Sequence, residues 1–554
     1  MTVKIPKWFL LCILSFFLST GAKWSNDLFE FAKNLEIFSS VYKEVGEHYV
    51  DDIPPGELIK SAISSMLKTL DPYTVFFSEY QAEEALIERH GEYGGVGARI
   101  QFRNQQPIVT EIIKGYGFHK AGILLGDQIV KIDNTSVSNF GHEDLMPLFR
   151  GVPNTQFKIQ LVRGKDTLVK TVSRSNIETK SVSYAGMIDE STGYIKLDEF
   201  GNDCSREVET ELKKLQQNSK FGGLILDLRN NGGGLLNEAV NIVGLFVEPN
   251  TTVVNLKGKG HQGPKNWKTT QKPIAPSLPL IILVNKSSAS ASEVVSGALQ
   301  DLDRAVIIGQ NSFGKGLVQN YQNLPYRTQM KITTARYYTP SGRCIQRLNY
   351  NLKDATGKAT SKSSSEKIPF KTKNGRIVFD GGGIDPDVNL PAFNGKELLE
   401  WLEKEYIIFD WANEHTRKDA ENGNNFDVSN LSNSNFNQSI IASFEKFAML
   451  KAPEVFTKNW NNKLLTMNSD TLWVKQFGWL TPNKTIISQE VSKFIKANSS
   501  DILFELKKAI LVRLSTDSVY NRETVTIDPE VNYAVKLIKN SESINKILKN
   551  PTKN

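Results

Sequence analysis

The sequence predicts a multidomain α/β protein with helical regions at both ends, and three observations support this fold class. The chain has 554 residues, more than one hydrophobic core usually holds, so three or four domains are expected. In the middle of the chain, apolar runs of strand length alternate with helical patterns, as in α/β folds. Both flanking regions instead carry apolar residues mainly at helical spacing. The composition, 40% hydrophobic and 23% charged, is that of a soluble globular protein.

The amino-terminal residues are typical of an export signal. Lys4 and Lys7 provide positive charge, and residues 8–18 form an apolar run that is too short to span a bilayer comfortably. Small residues at 20–22 offer a cleavage site, so residues 1–22 are predicted to be a signal peptide. An uncleaved anchor, which would associate the protein with a membrane, is the alternative.

Charge and cysteine content exclude several classes of function. The net charge of +7 is small for this length, and no basic stripe with interleaved aromatic residues predicts nucleic-acid binding. The mature chain would keep only Cys204 and Cys344, which form neither a disulfide framework nor a zinc site. A single bridge between them and two free thiols both remain open.

Four regions are predicted after the signal. Residues 24–88 show helical spacing interrupted at Pro54-Pro55, and residues 89–175 form a small β-rich module with a loop at Gly95, Val96 and Gly97. Glycine at such a loop permits close approach of a ligand to the backbone.

The third region, residues 177–391, returns to α/β character. An apolar strand over 222–228 leads into a glycine turn at 229–234, and a helical pattern follows. Backbone N–H groups converge at such a turn, although a plain strand-to-helix connection gives the same pattern. A polar insertion at about 353–367 is predicted to be exposed and flexible.

The fourth region, residues 395–554, is predicted to be a helical domain without catalytic chemistry. A Ser/Asn-rich stretch over 431–439 is predicted to be a linker or loop.

The chemistry is predicted to lie in residues 283–319, where two loops each follow an apolar run. Ser290 precedes a helical pattern and is the candidate nucleophile, and Lys315 between two glycines is its candidate base. Lysine can accept a proton if burial lowers its pKa, because desolvation disfavours the charged amine. Gln319, four residues later, could hydrogen-bond that amine.

Both residues have simpler interpretations. Ser290 and Glu293 match the S-x-x-E capping box, in which serine only caps a helix. Lys315 could be a solvated loop lysine. The segment 309–316 also nearly matches the phosphate-binding loop GxxxxGK[ST], but glycine replaces the final hydroxyl residue and a strand-like pattern follows.

These segments, SSASASE, ALQDLDRAVIIG and SFGKGLVQ, resemble the active-site region of the C-terminal processing peptidases, or tail-specific proteases. The resemblance covers roughly residues 40–391. It implies Ser290 as nucleophile, Lys315 as general base and Gln319 as the group that orients the lysine. DLRNNGGG resembles the second active-site motif of the family, which implies Gly233 or Gly234 as one oxyanion donor and the Ala291 N–H as another.

The module at 89–175 resembles a PDZ domain, in which a glycine-rich loop captures a peptide carboxylate and the peptide extends a sheet edge. The resemblance therefore implies a PDZ domain placed before a mixed α/β serine-protease core, with helical regions on either side. The implied function is a periplasmic-type serine endopeptidase, without metal or cofactor, that takes protein substrates by their C-terminal tails. A homodimer and a regulatory adaptor protein are left open.

Two alternatives come from other classes of function. One is a non-catalytic PDZ scaffold that binds protein C-termini, and the other is a P-loop NTPase.

Overall fold

The computed structural model describes residues 7–83, 92–138, 140–178, 180–259, 265–353, 358–390, 396–422, 426–464 and 484–549. The chain divides into two compact units. The first comprises Met1–Ala82 and Gln319–Thr333, and the second comprises Glu83–Val318 and Thr334–Asn554.

The first unit is mainly helical, as predicted. Its elements are α1 (Lys7–His48), α2 (Pro55–Lys68), β1 (Val75–Phe77) and parts of β17 (Leu317–Asn323) and β18 (Gln329–Tyr338). Pro55 lies in the first turn of α2, where its missing N–H costs no helical hydrogen bond. β1 pairs antiparallel with the beginning of β18, and β17 also pairs with β18. Among the described residues, no helix combines the length and hydropathy that a membrane span requires.

A small antiparallel sheet forms the first part of the second unit. Its elements are β2 (Glu92–Gly95), β3 (Ala98–Arg103), β4 (Gln106–Ile112), α3 (Gly117–Lys120), β5 (Gln128–Ile132), β6 (Thr135–Ser136), α4 (His142–Phe149), β7 (Gln156–Arg163), β8 (Asp166–Ser173) and β9 (Ser175–Glu178). The strand order is β3-β4-β5-β7-β8, with β6 beside β5, while β2 pairs with β9. Val109, Phe118, Ile129 and Leu161 are fully buried in its core. Within the described chain, β3 pairs only with β4, so it lies at an edge of this sheet.

A six-stranded sheet carries the predicted catalytic segments. The elements of this α/β region are β10 (Val182–Met187), β11 (Thr192–Leu197), α5 (Cys204–Gln216), β12 (Gly223–Asp227), α6 (Leu236–Gly244), β13 (Thr252–Lys257), β14 (Lys265–Lys268), β15 (Leu280–Val284), α7 (Ala291–Asp301), β16 (Val306–Gly309) and β23 (Val388–Asn389). The strand order is β10-β11-β12-β15-β16-β23, parallel throughout except for the β10–β11 pair. The predicted strands and helices of this region are confirmed.

The two faces of this sheet are covered by different parts of the chain. Leu226 and Ile282 point to the face where α5, α6 and α7 pack. Their neighbours Ile225 and Ile281 point to the opposite face and contact a cluster that includes Val531. This alternation follows from the two-residue period of a strand. Burial on both faces explains why these strands are continuously apolar.

The remaining strands surround the predicted insertion. They are β19 (Leu348–Lys353), β20 (Ala359–Ser361), β21 (Pro369–Lys371) and β22 (Ile377–Phe379). β20 pairs with β19, so this part of the insertion is ordered, whereas residues 354–357 lie outside the described residues.

The carboxyl-terminal region is helical, as predicted. Its helices are α8 (Lys396–Lys404), α9 (Ile407–Glu421), α10 (Ser434–Leu464), α11 (Lys484–Ala497), α12 (Ser499–Leu514), α13 (Asp517–Ile527), α14 (Pro529–Ile538) and α15 (Ser541–Lys549). Helices α8 to α12 share one hydrophobic core. By contrast, α13 to α15 contribute to the cluster on the six-stranded sheet.

The linker predicted at 431–439 is wrong for most of its length, because α10 begins at Ser434. Asn433 explains the difference, since its Oδ1 accepts hydrogen bonds from the N–H groups of Asn435 (2.9 Å) and Phe436 (3.2 Å). A polar stretch that resembles a loop therefore supplies the cap of a helix.

A glutamate in helix α8, Glu403, predicts how the stability of the protein depends on pH. Burial and the charge of Glu505 raise the pKa of Glu403 to about 7. The folded chain therefore holds a proton that the unfolded chain releases near its ordinary pKa of about 4.5. The free energy of unfolding should fall as pH rises from about 4.5 to 7, by at most about 3 kcal/mol because solvent screens this partly exposed side chain.

Glu403→Gln removes this titration, so the variant should unfold at a higher temperature than wild type at pH 8 and at a similar temperature at pH 4.5. Thermal unfolding at both pH values measures the difference. An unchanged dependence on pH in the variant would contradict the assignment.

Candidate active site

Three loops meet at the carboxyl ends of neighbouring parallel strands. The glycine turn follows β12, the Ser290 turn follows β15, and the Lys315 loop follows β16. This edge is where open parallel sheets generally place their binding sites, because the loops after adjacent strands converge there. The sheet order therefore brings together segments that are separated in sequence.

Ser290 has an unusual backbone conformation at the start of α7, with φ 55° and ψ −111°. Strained backbone of this kind costs about 1–3 kcal/mol and is often found at functional sites. The Ser290 side chain makes no capping hydrogen bond, and the Glu293 N–H donates instead to the Ser290 carbonyl oxygen at 2.9 Å. Ser290 and Glu293 occupy the N-cap and N3 positions of the predicted capping box, and the Glu293 carboxylate accepts from the Ser290 N–H, but the Ser290 hydroxyl makes no capping hydrogen bond.

The fully buried Glu293 connects the serine turn to the lysine loop. Its Oε2 accepts hydrogen bonds from the N–H groups of Ser290 and Lys315, each at 2.9 Å. Its Oε1 accepts from the Ser312 hydroxyl at 2.5 Å and the Gly314 N–H at 2.7 Å. Because one oxygen atom binds both backbones, the two predicted catalytic residues are held next to each other.

The environment of Glu293 suits an ionised carboxylate. Burial raises the pKa of Glu293, while hydrogen bonds from Ser312 and three backbone N–H groups act in the opposite direction. All four neighbours donate, and an ionised carboxylate is purely an acceptor. Sequence analysis identified Glu293 only as a possible capping residue, since helix spacing carries no information about the Lys315 loop.

Glycines allow the Lys315 loop to pack closely. Gly314 has φ +87°, and a Cβ added there would lie 2.6 Å from the Arg347 Cβ. The Gly316 N–H donates to Gln346 Oε1 at 2.8 Å. Both Ser290 and Lys315 are half-buried. The loop continues into β17 rather than a helix, so the P-loop alternative is wrong.

The glycine turn lies directly against the Ser290 turn. A Cβ added to Gly233, which has φ +103°, would lie 2.8 Å from Ser290 Cβ and 3.0 Å from the Ala291 nitrogen. The Gly233 N–H itself donates to Asn231 Oδ1 at 2.9 Å. Because the Gly233 N–H already has an acceptor, Gly234 is the more suitable of the two predicted glycine donors. The other predicted donor, the Ala291 N–H, lies in the first turn of α7, where amides lack helical partners. The oxyanion roles of these residues remain predictions.

Asn231, which sequence analysis did not identify, joins the glycine turn to the Ser290 turn through hydrogen bonds. Its carbonyl oxygen accepts from the Ala289 N–H at 3.0 Å and the Ser292 hydroxyl at 2.9 Å. Its side-chain amide donates to the Leu197 carbonyl oxygen at 2.8 Å. Asn231 is fully buried. The pair of asparagines before the glycines was visible in the sequence, but its partners were not.

Gln319 belongs to the first unit, where its Nε2 donates to Thr333 Oγ1 at 3.2 Å. Its predicted role in orienting Lys315 is therefore neither confirmed nor contradicted.

The predicted peptide-binding loop precedes the edge strand β3. The Val96 carbonyl oxygen accepts from the Phe118 N–H at 3.0 Å, and the Gly97 carbonyl oxygen accepts from the Ile113 N–H at 2.8 Å. Gly97 has φ +69°, and a Cβ there would lie 2.4 Å from the Tyr116 Cβ. Gly95 ends β2. The loop is thus fixed beside an edge to which a peptide could add a strand.

Histidine is the usual proton acceptor for a serine nucleophile. His415 lies in α9 with its ring stacked on Trp411, and His261 lies outside the described residues. Cys204 and Cys344 are both free thiols. The described part of the chain contains no group of three or more His, Cys, Asp or Glu that could hold a metal ion.

Gly233→Ala should lower kcat by about 100-fold or more. The new methyl group would clash with Ser290 Cβ and require a positive φ that alanine disfavours. Gly375→Ala is a suitable control, since Gly375 also has a positive φ (+87°) but an added Cβ would meet no atom within 4 Å. Steady-state peptide cleavage measures the effect, and equal rates for both variants would contradict it.

Two regions of the chain match models of known protein families. The model of peptidase family S41 matches residues 191–352, and the PDZ domain model matches residues 84–162. A probable CtpA-like serine protease of Staphylococcus aureus (strain N315) is 32% identical over 399 residues, which cover 71% of this chain and 78% of that protein. The chain belongs to peptidase family S41. The peptidase is also 34% identical over 320 residues to the carboxy-terminal-processing protease of Bartonella bacilliformis, covering 57% of this chain and 73% of that protein.

Among solved structures, the photosystem II D1 C-terminal processing protease matches with 26% identity and a TM-score of 0.36, covering 64% of this chain and 92% of that one. Family membership identifies the peptidase as a C-terminal processing serine protease that carries a PDZ domain, rather than a scaffold without activity.

Proposed function

We propose that this peptidase hydrolyses proteins with a Ser290/Lys315 dyad after recognising their C-terminal tails. The observation that carries the proposal is the Glu293 carboxylate oxygen that accepts hydrogen bonds from both Ser290 and Lys315 backbones. It is supported by a Ser290 hydroxyl that does not cap its helix.

In the proposed mechanism, the neutral Lys315 amine takes the Ser290 hydroxyl proton as the oxygen attacks the scissile carbonyl. The N–H groups of Ala291 and Gly234 stabilise the resulting oxyanion. The Lys315 ammonium then gives its proton to the leaving amine, and an acyl-enzyme forms on Ser290. Water, deprotonated by Lys315, attacks this ester, and the Lys315 ammonium returns the proton to the departing Ser290 oxygen as the acid product is released. Gln319 orients the lysine amine in this scheme.

Substrate tails are proposed to bind the PDZ loop at Gly95, Val96 and Gly97 and to pair with β3. Backbone N–H groups of the loop would hold the terminal carboxylate, and β3 would supply main-chain hydrogen bonds. The open edge of β3 supports this mode of recognition.

We further propose that the peptidase is exported to the cell envelope, as the positively charged and apolar amino-terminal residues indicate. A homodimer is supported by apolar α1 side chains that are exposed at heptad spacing, namely Leu28, Phe31, Leu35 and Phe38.

The proposed function can be tested with an unfolded substrate protein that has an apolar C-terminal tail. The substrate is incubated with the wild-type peptidase or with Ser290→Ala, and the products are analysed by mass spectrometry. Wild type should cleave the free tail faster than an amidated one, and Ser290→Ala should bind it without cleavage. Ser287→Ala, in the same loop and exposed, is the matched control and should cleave normally. Cleavage by Ser290→Ala would refute the proposed nucleophile.

A further inference from the structure

A buried arginine in the active-site motif is held by carboxylates from the far carboxyl-terminal region. The Arg229 guanidinium contacts Asp227 Oδ2 at 2.6 Å, Asp528 Oδ2 at 2.9 Å and Glu530 Oε2 at 2.6 Å. Its side chain is 13% exposed. Asp528 and Glu530 lie about 300 residues away in sequence, in a region to which the proposed function assigns no role.

Asp528 performs two tasks with its two oxygens. Oδ1 caps α14 by accepting from the N–H groups of Glu530 (2.9 Å) and Val531 (3.1 Å). Oδ2 contacts Arg229. The start of α14 is therefore attached directly to the active-site motif, while its buried residues Val531, Ala534 and Ile538 pack on the six-stranded sheet.

Helix α14 and the residue before it supply two of the three carboxylates that contact Arg229. The third, Asp227, is shared, because Lys196 lies 3.4 Å from Asp227 Oδ1 and also 3.9 Å from Asp198 Oδ1. Asp528 and Glu530 therefore provide carboxylates that Arg229 does not share with Lys196. Buried charges require such partners, because the protein interior solvates an unpaired ion poorly.

Hydrogen bonds link the Arg229 backbone to the Ser290 turn. The Arg229 N–H donates to Asp227 Oδ1 at 2.8 Å, and its carbonyl oxygen accepts from the Lys196 amine. Two residues later, Asn231 binds Ala289 through its carbonyl and Gly233 through its side chain. A shift of the Arg229 backbone would therefore move the glycine turn against Ser290.

We infer that Asp528 and Glu530 are positioning residues for the glycine turn at 229–234. Helix α14 therefore completes the active site through Arg229. The catalytic consequence rests on the proposed function of Ser290, whereas the positioning of the turn does not.

The double variant Asp528→Asn/Glu530→Gln removes both charges. Asparagine is as good an N-cap as aspartate, and glutamine keeps an acceptor oxygen, so α14 should still form. The matched control is Lys539→Gln, which breaks the 2.9 Å ion pair to Asp189 at the other end of the same helix.

Kinetics on an internally quenched peptide with a free apolar tail test the catalytic consequence. The double variant should lose about 30-fold in kcat with KM within about twofold of wild type, since oxyanion stabilisation acts on the transition state. Lys539→Gln should retain both values. A double variant with wild-type kcat, or a control with an equal loss, would overturn the inference.

Hydrogen exchange tests the positioning without relying on activity. The amides of Asn231 and Gly233 donate to Leu228 O at 3.3 Å and Asn231 Oδ1 at 2.9 Å, so they report on the turn. Both should exchange at least about tenfold faster in the double variant than in Lys539→Gln. Equal exchange would overturn the inference even in an active enzyme. If wild type cleaves nothing, the proposed function fails while this measurement still decides the positioning.

Discussion

Lys315→Met should lower kcat/KM by about 10³- to 10⁴-fold. Methionine fills much of the space of the lysine stem but cannot accept the Ser290 proton, and general-base catalysis contributes roughly this factor. The backbone hydrogen bond from residue 315 to Glu293 Oε2 would remain. The variant should therefore stay folded and bind tail peptides with unchanged affinity.

Cleavage of the quenched peptide and peptide binding, measured side by side, separate these effects. Lys286→Met is the matched control, because Lys286 lies in the loop before Ser290 and makes only a half-exposed ion pair with Glu400. It should retain near-normal activity. If Lys315→Met kept more than a tenth of wild-type activity, Lys315 would not be the base.

Glu293→Gln should lower both stability and activity. Glutamine offers one acceptor oxygen where the carboxylate offers two, and its amide group must face at least one of the three backbone N–H groups around it. A buried donor left without an acceptor costs about 1–3 kcal/mol, so a loss of about 2–4 kcal/mol is expected. Because the same bonds join the Ser290 and Lys315 loops, kcat should fall about 100-fold or more.

Glu207→Gln provides the comparison for this prediction. The Glu207 carboxylate also accepts backbone hydrogen bonds, from Ser181 and Val182, but it belongs to α5 and contacts neither catalytic loop. It should lose stability without a comparable loss of kcat. Urea unfolding measures the stability of both variants, and steady-state kinetics measures their kcat. An equal loss of kcat in Glu207→Gln and Glu293→Gln would contradict the role of Glu293.

Local patterns predicted the elements around the site but not the contacts between them. The structure has the elements that the sequence predicts around the site. One strand ends before Arg229 and another before Ser290, a helix follows Ser290, and a strand follows Lys315. The bonds of Glu293 to the Lys315 loop join residues 22 positions apart, and those of Arg229 to Glu530 join residues 301 apart. Hydrophobic periodicity carries no information about such pairs, because they depend on the order of strands in the sheet.

Two local features were also missed, for physical reasons. A serine beside a capping glutamate normally adopts extended backbone and uses its hydroxyl as the cap, whereas Ser290 has a positive φ. The stretch at 431–439 contains turn-forming residues, but Asn433 uses its side chain to start a helix. In both cases one side chain decides between alternatives that share the same composition.

The central claim, that the Lys315 amine is the base for Ser290, can be tested by changing the basicity of that amine. Lys315→Cys in a Cys344→Ser background can be alkylated with 2-bromoethylamine to give a thioether analogue of lysine with a less basic amine. The untreated variant should be inactive. Alkylation should restore cleavage, and the acidic limb of the kcat/KM profile should move to lower pH than in wild type. Restored activity with an unmoved limb, or activity without alkylation, would contradict the account.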